Sequence, residues 1–434
     1  MASRAIRGFL VVLYLSLSFA YNEGAESVGD LEIDLQLKIL NKPYVKSIKT
    51  EEGDIFDCVD IYKQPAFDHP LLKNHSVQMK PSAFPKELVA APTSSPHSHK
   101  SSAVGLSEAC PLGTVPIRRT RKEELLWAKA FKKNSQSNAA APPHSDKSSV
   151  VRGLSEACPL TNTAPIRRTR KEEIRAKRSR TTLISQTQQH PLPYATKILP
   201  GDPSKHYLGA AGLLNIQNPA LTVNQFSQAF VQLRSGVDTL QFGWMVNPKL
   251  YGDNKTRTFA SVAAGDYGCF NMLCTGFVQV NQEFPLGYVL RNISEYDGEQ
   301  YYVRNAIFKD PKSGDWWLAH NDFEQTVGYW PKTLFSSLSS SAEEIQWGGG
   351  VHTDVIASSP FMGSGHFAEE GFREAAYIRN YQIIDESNQL QFPDENVLQY
   401  LTDSPHCYHI CPLKGLDHAF LYGGPGGYCE KQLS

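Results

Sequence analysis

The sequence lacks an excess of charge of either sign, a long hydrophobic run beyond its N-terminus, and the usual spacing of metal ligands. Lys and Arg number 43 against 44 Asp and Glu, a formal net charge of −1. This balance argues against nucleic acid or an anionic membrane surface as the partner. No segment after the N-terminal one is long enough to span a bilayer. No C-x-x-C pair and no His pair at ligand spacing is present, so we predict neither a metal site nor a cofactor.

The first twenty residues have the pattern of a secretory signal peptide. Arg4 and Arg7 precede an apolar run from Phe9 to Leu17, and small residues end the segment at Ala20. The run is too short to span a membrane, and a buried N-terminal helix is the less favoured alternative. We therefore predict a secreted, extracellular protein, with the cell wall or the vacuole as destinations.

The eight cysteines indicate disulfides if the chain follows this oxidising route. Cys269 and Cys274 bracket a short loop that a disulfide could close. In the same compartment three Asn-x-Ser/Thr sequons become predicted glycosylation sites, at Asn74, Asn254 and Asn292.

Short strands dominate the chain after about His190. Leu240, Phe242 and Trp244 alternate with Gln241 and Gly243, the period of two that places the two sets on opposite faces of a sheet. Similar short strands, separated by Gly, Pro and Asn, continue toward the C-terminus. Together they predict an all-β, antiparallel β-sandwich domain over residues 190–434.

The part before this domain contains an internal repeat. Residues 105–112 recur as 153–160, and residues 116–124 recur as 165–173. A tandem duplication or a faulty gene model explains two copies better than a solenoid, which needs at least three. Thr120 to Glu123 form a capping-box pattern that predicts a short amphipathic helix through Phe131. The second copy continues instead as the basic run 175–180, which is either a solvated tail or a processing site.

Several of these stretches resemble the plant neprosin family, secreted glutamic peptidases that cleave after proline. The resemblance rests on Gly243-Trp244 with Leu250-Tyr251-Gly252-Asp253-Asn254, on the 269–274 cysteine loop, on Trp347-Gly348-Gly349, and on Met362 to Phe367. Residues 53–70 resemble the family's activation peptide. The resemblance implies a small, partly flexible pro-domain before the sandwich, which acts as an intramolecular partner.

The resemblance also implies the domain boundaries and two disulfides. We assign a signal peptide to residues 1–20, a pro-region to 21–124, a linker with the duplicated segment and the basic processing site to 125–189, and the sandwich to 190–434. Cys407 and Cys429 resemble one family disulfide, with Cys411 as an extra competitor. Cys58 is expected to pair with Cys110 or with Cys158, because the cysteine-containing segment is present twice.

Catalysis in a glutamic peptidase needs two carboxyl groups across a cleft, one ionised to activate water and one protonated to polarise the substrate. The resemblance places these groups at Gln241 and Gly350. Gln241 is expected to face the cleft, opposite the apolar side of its strand. Glutamine cannot accept a proton and glycine has no side chain, so neither position can serve as acid or base.

Other acids could substitute. Glu343 and Glu344, Glu369 and Glu370, and Asp354 are candidates, although each is more typical of a surface charge; Ser364 with His366 is too little for a serine triad. Four aromatic residues could still stack on substrate prolines, with the hydrophobic core as their alternative place: Trp244, Tyr329, Trp330 and Trp347.

Three functions therefore compete. The first is a secreted, catalytically impaired member of the proline-directed family that retains a cleft for Pro-rich peptide or cell-wall glycoprotein. The second is an active secreted prolyl endopeptidase with displaced carboxylates. The third is a structural wall protein without a cleft. The retained aromatic and glycine positions favour the first over the third, and the double loss at Gln241 and Gly350 favours the first over the second.

Overall fold

The computed structural model describes residues 30–87, 99–101, 105–139 and 193–429, except residues 203, 322, 324 and 354–357. Several predictions lie outside the described residues: the signal peptide, the second repeat copy with Cys158, the basic run 175–180, and Asp354. We call residues 30–139 the N-terminal region and residues 193–429 the sandwich.

The N-terminal region combines a small sheet, two helices and two short strands. Helix α1 covers residues 30–40. A three-stranded antiparallel sheet has the order β1-β2-β5, formed by β1 (Tyr44–Lys49), β2 (Ile55–Asp60) and β5 (Thr114–Arg118). Short 3-10 helices follow at Pro65–Asp68 and Pro70–Leu72, then β3 (Lys86–Glu87), β4 (His99–Ser101) and helix α2 (Lys122–Ala139).

The sandwich is built from two sheets. The first has seven strands in the order β11-β10-β9-β8-β16-β6-β19. Its strands are β6 (Tyr194–Leu199), β8 (Gln225–Ser235), β9 (Asp238–Val246), β10 (Arg257–Ala264), β11 (Tyr267–Phe270), β16 (Glu344–Thr353) and β19 (Gln399–Thr402), and a one-turn helix α3 (Pro248–Tyr251) follows β9.

The second sheet has eleven strands, and β3 and β4 of the N-terminal region belong to it. The sandwich supplies β7 (Gly209–Asn215), β12 (Val278–Gln279), β13 (Gln300–Lys309), β14 (Trp316–His320), β15 (Thr326–Trp330), β17 (Ala376–Ile384), β18 (Gln389–Gln391), β20 (His409–Pro412) and β21 (Ala419–Gly423). All strand pairs described within the sandwich are antiparallel, whereas β3 and β4 pair in parallel with β18 and β13. The all-β, antiparallel prediction is confirmed.

The main core lies between the two sheets because one alternating set of side chains on each strand is apolar. Leu240, Phe242 and Trp244 of β9 belong to the same buried cluster as Val303 and Ile307 of β13. Burying an aromatic or aliphatic side chain of this size contributes roughly 1.5–3 kcal/mol each. The set on β9 that points away from this core, which includes Gln241, lies on the outer face of the seven-stranded sheet, as the period of two predicts.

The N-terminal region covers the outer faces of both sheets. Ala66 packs in a cluster with Phe308, Trp317 and Tyr329 of the eleven-stranded sheet. Trp127 of α2 packs with aromatic residues of the seven-stranded sheet. Residues 125–139, which the sequence analysis assigned to a linker, thus form most of a helix docked on the sandwich.

The predicted cysteine pairs are confirmed. Disulfides join Cys269 to Cys274 and Cys407 to Cys429, and Cys58 pairs with Cys110 of the first repeat copy. Cys411 is also disulfide-bonded. No helix among the described residues is long and apolar enough to cross a membrane.

The predicted N-cap position, Thr120, is one residue too early, because Arg121 is the residue that precedes the helix. Helix α2 begins at Lys122, and the carboxylate of Glu124, in its third position, accepts a hydrogen bond from the Arg121 backbone N–H at 3.5 Å. Glu124 therefore takes the capping role expected of Glu123.

Candidate active site

The two positions that should carry the catalytic carboxylates lie on the same sheet face. In the strand register Gln241 of β9 stands opposite Gln232 of β8, and Gly350 of β16 stands opposite Gln228 of β8. Gln228 and Gln232 are four residues apart, so both point to one face, the outer face of the seven-stranded sheet. Gln241 and Gly350 are thus separated by one strand and by four residues along it.

Gln241 is held in a network of neutral polar side chains. Its amide nitrogen donates to Gln232 Oε1 at 2.6 Å, and its Oε1 accepts from the Ser261 hydroxyl at 3.0 Å. Gln241 is 9% exposed. An amide in this setting can orient or polarise a neighbouring group but cannot transfer a proton. The arrangement at Gln241 therefore provides hydrogen bonding without acid–base chemistry.

The space that a side chain at Gly350 would occupy is filled by an aromatic ring. A side-chain Cβ added there would come within 2.8 Å of the Tyr194 ring, which stands opposite it on β6. Gly350 is not among the glycines with a positive φ angle. The constraint on a larger side chain at this position is therefore steric, not conformational. Gln228 is the other neighbour, and its Oε1 is buried without a hydrogen-bond partner.

The candidate substitute acids are mostly engaged elsewhere. Glu369 is paired with His409 at 2.7 Å and Glu370 with His366 at 2.8 Å, on a 3-10 turn (Ala368–Glu370) that contacts β20 and β21. Burial would raise the pKa of Glu369, but the bond to His409 holds it below its ordinary value. Ser364 has no more than a 3.4 Å hydrogen bond from the His366 backbone N–H, so these residues form no triad.

Glu344 is the functional candidate that sequence reasoning undervalued. It precedes Gln346, Gly348 and Gly350 at intervals of two on β16, so it shares their outer face. Its Oε1 accepts from the Gln346 amide at 2.8 Å and lies 3.8 Å from Arg234. Applied to β16, the same alternation that located Gln241 would have found it. Glu344 places one carboxylate at the end of this face.

The four aromatic residues predicted to bind substrate are buried. Trp244, Trp330 and Trp347 lie in the core between the sheets, each at most 1% exposed, and the indoles of Trp244 and Trp347 donate to backbone carbonyls there. Tyr329 lies on the outer face of the other sheet, where its hydroxyl contacts His75 at 2.8 Å and accepts from Gln78 N–H at 3.0 Å. The three tryptophans thus occupy the core, the alternative place expected for them, and Tyr329 is covered by the N-terminal region; substrate contact by these four residues stays a prediction.

The outer face of the seven-stranded sheet carries a different set of aromatic rings, and rings of helix α2 pack on them. Trp127 of α2 lies 5.1 Å from Phe270 and 6.4 Å from Phe226, measured between ring centroids. Phe131 lies 5.3 Å from Phe270 and 5.6 Å from His352. We call the set Phe226, Phe230, Met245, Phe259 and Phe270 the aromatic face. With α2 in place, this face is closed to other ligands.

A buried ion network fixes the N-terminal region beside this face. Arg257 of β10, 1% exposed, pairs with Asp54 at 2.5 Å and with Asp253 at 2.6 Å. Asp54 also pairs with Arg118 at 2.9 Å, and Arg118 pairs with Glu124 at 2.7 Å. Burial would raise the pKa of Asp54, but the guanidinium groups of Arg257 and Arg118 hold it below 3.8. Of these pairs, Asp54–Arg257 joins the N-terminal region to the sandwich.

The remaining predicted sites can be placed. The three sequon asparagines, Asn74, Asn254 and Asn292, are all exposed. Within the described ranges no group of three or more His, Cys, Asp or Glu side chains is arranged to hold a metal ion.

The protein is an antiparallel sandwich with an N-terminal region packed on the outer faces of both sheets. Helix α2 of that region covers the aromatic face. Residues 223–425 match the family model described as Neprosin, and residues 47–156 match the one described as Neprosin activation peptide. The chain therefore belongs to the neprosin family, a family of peptidases.

Solved structures of two peptidases are similar to the chain at a low level. They are Scytalido-glutamic peptidase with a peptide-based transition state analog, with a TM-score of 0.31, and SCP-B, a member of the Eqolisin family, in complex with the tripeptide Ala-Ile-His, with a TM-score of 0.30. Each is 10% identical, and each match covers 54% of this chain and 98% of the other. A likeness of this size supports no residue role.

Proposed function

We propose that this protein is a secreted neprosin-family member with impaired proline-directed catalysis, and that its aromatic face binds Pro-rich peptide or glycoprotein segments. One observation carries the proposal. The family's two glutamate positions hold Gln241, bonded to Gln232 and Ser261, and Gly350, covered by Tyr194. Peptide hydrolysis at these positions would require one base and one acid, and neither residue type supplies a proton-transferring group.

The aromatic face supports a peptide ligand. Extended proline-rich segments bind grooves lined with aromatic rings, because the ligand is already ordered before it binds. Phe270 and Phe226 are contacted here by Trp127 and Phe131 of α2. If α2 dissociates from the sheet, the rings of Phe226 and Phe270 become accessible to such a peptide. Three described disulfides suit an oxidising compartment, in keeping with secretion.

The binding half of the proposal is tested on protein freed of the N-terminal region. A fluorescent Pro-rich peptide should bind it more tightly than it binds the full chain. Phe270→Ala should weaken binding by roughly two- to tenfold, since an aromatic contact of this kind contributes about 0.5–1.5 kcal/mol. Val397→Ala is the matched control, because Val397 is 49% exposed and outside the aromatic face. Equal binding by Phe270→Ala and the control would exclude this face as the peptide site.

The catalytic half is tested with a set of variants on a proline-containing peptide at acid pH. We expect no cleavage by the native protein, by Gln241→Glu or by Gly350→Glu, since each single change supplies one carboxylate without a partner. The triple variant Gln241→Glu, Gly350→Glu, Tyr194→Ala is the one of this set expected to cleave the peptide, because removing the Tyr194 ring makes space for a side chain at residue 350.

An active enzyme with displaced carboxylates is the second candidate, and one observation favours it. Glu344 lies on the same outer face and accepts from Gln346, which pairs in register with Gln232. Turnover by the native protein that Glu344→Gln abolishes would establish this alternative and exclude the impaired-site proposal. Glu343→Gln is the control, because Glu343 is exposed and lies one residue earlier in the chain.

A further inference from the structure

A cavity lies at one edge of the sandwich, away from the aromatic face. Its volume is about 340 Å³. It opens between β6 and β19, the last two strands of the seven-stranded sheet, and β17 of the other sheet. We call it the edge cavity, and its polar lining consists of Lys197, Tyr381, Glu395, Tyr400, Asp417 and His418. A volume of this size is at the lower end of the range for small-molecule sites.

A buried ammonium group lies at the base of the edge cavity. Lys197 is 1% exposed, and its Nζ is 2.5 Å from both Tyr381 Oη and Glu395 Oε2. The rings of Tyr381 and Tyr400 lie 4.6 Å and 4.8 Å from the same nitrogen. An ammonium has three N–H donors, and these contacts provide two oxygen acceptors. A charge is costly to bury unless it is paired, so Glu395 and the two tyrosines are the groups that allow this ammonium to line the cavity.

The rim of the cavity carries acceptors and a rigid ring. Glu395 is half exposed and also accepts from His418 Nδ1 at 3.1 Å. The His418 ring stacks on Phe392 with 3.8 Å between centroids. The backbone of His418 has a φ angle of +52°, which side-chain-bearing residues rarely adopt and which clusters at binding sites. Asp417 beside it is exposed at the opening.

The charges of the lining select the class of ligand. The ammonium of Lys197 and the carboxylate of Glu395 neutralise each other, and the exposed carboxylate of Asp417 remains. An anionic ligand would approach the carboxylates of Asp417 and Glu395, so the lining disfavours anions. A neutral ligand that carries both donors and acceptors can use the carboxylates of Glu395 and Asp417 together with His418. Its apolar parts can pack on Tyr400, Leu413 and Leu416.

Polyhydroxylated rings have this combination, because hydroxyl groups donate and accept while the C–H faces pack on aromatic rings. We propose that the edge cavity binds a neutral sugar of one or two rings, as a free saccharide or as part of a glycan. This inference is independent of the proposed function, since the cavity is formed by different strands from those of the aromatic face.

The test uses saturation-transfer NMR on the intact secreted chain after enzymatic removal of its own glycans. The probes are glucose, galactose, arabinose and their disaccharides, with galacturonic acid and N-acetyl-arginine amide as charged comparisons. We expect transfer to at least one neutral sugar, with an affinity on the order of 1 mM for so small a polar ligand.

Two partly exposed positions provide variants that keep the buried ion pair. Asp417→Asn and Tyr400→Leu should each weaken sugar binding by about tenfold, the effect expected for a hydrogen bond to a charged group or a lost ring contact. Asp266→Asn, an exposed turn residue on the other side of the sheet, should bind like the native protein. Circular dichroism confirms that each variant is folded.

Three results would overturn the proposal. They are the absence of transfer to any neutral sugar, transfer that Asp417→Asn and Tyr400→Leu both leave unchanged, and binding of galacturonic acid or the arginine amide in preference to the neutral sugars. Failure here leaves the peptide-binding test at the aromatic face unaffected, because that test uses a different ligand and a different variant.

Discussion

At the scale of single residues, the buried pair of Asp54 and Arg257 makes attachment of the N-terminal region sensitive to acid. The pKa of Asp54 is lowered in the folded chain. A carboxyl group with a lowered pKa contributes stability that is present above its unfolded value of 3.8 and is lost as the pH falls through the folded value. The contribution of Asp54 to attachment should therefore be lost below about pH 4.

We predict that Asp54→Asn lowers the free energy of unfolding at pH 7 by about 2 kcal/mol, the scale of a hydrogen bond to a charged group. The variant should also lose part of the acid sensitivity, since the titrating group is gone. Urea denaturation at pH 7 and pH 3.5 measures both effects. Asp60→Asn is the control at the far end of strand β2, which Asp54 precedes, because its partner Lys63 lies 3.8 Å away at the surface. Equal losses in the two variants would contradict the role of the buried network.

The sequence places Gln241 on one face of its strand but leaves the place of the aromatic residues open, for one physical reason. The period of two states that neighbours on a strand face opposite sides but does not state which side is covered. Gln241 was placed correctly relative to Leu240. For Trp244 both a substrate contact and a place in the core were open, and it lies between the sheets, 0% exposed. Which face a second sheet or a helix covers depends on contacts far apart in the chain.

At the scale of elements, helix α2 depends on its aromatic anchors more than on its own sequence. Trp127 is 4% exposed and packs against rings from β8 and β11, whereas Leu126 beside it is 48% exposed. Short helices in water are marginal, and most of their stability comes from packing. The pattern from Leu125 to Phe131 predicted the helix correctly, but nothing in it identified the seven-stranded sheet as its partner.

We predict that Trp127→Ala releases α2 from the aromatic face at a cost of roughly 3–5 kcal/mol, the range for removing a buried aromatic side chain. The exposed face should then bind an apolar dye and give α2 faster amide hydrogen exchange. Leu126→Ala, on the solvent side of the same helix, should show neither change. Slow exchange of α2 in Trp127→Ala would mean that the ion network alone holds the helix.

At the scale of the whole molecule, the N-terminal region and the sandwich form one folded body joined by side chains and strands. Gln64 and Gln279 exchange hydrogen bonds, the Gln64 amide donating to the Gln279 carbonyl at 3.0 Å and the Gln279 N–H donating back at 2.8 Å. Asp310, 0% exposed, accepts from Ser82 Oγ at 2.9 Å and from the Gln78 amide at 3.0 Å. These contacts lie far from α2 and do not depend on it.

We therefore predict that cutting the chain does not separate its two parts at neutral pH. An introduced protease site between residues 139 and 157, before Cys158, should give two fragments that elute together in size exclusion at pH 7. They should separate below about pH 4, where the stability that comes from the lowered pKa of Asp54 is lost. Separate elution at pH 7 would show that covalent linkage is needed for attachment.

The parallel pairing of β3 with β18 has a consequence for solubility. Lys86 and Glu87 pair with Gln389 and Leu390 at the end of the eleven-stranded sheet, so a strand of the N-terminal region completes that margin. An uncovered strand margin offers unpaired backbone groups to other chains, and charged residues on the last strand discourage such contacts. The sandwich alone would end in an uncharged strand, Gln389–Gln391, and should self-associate where the complete chain does not.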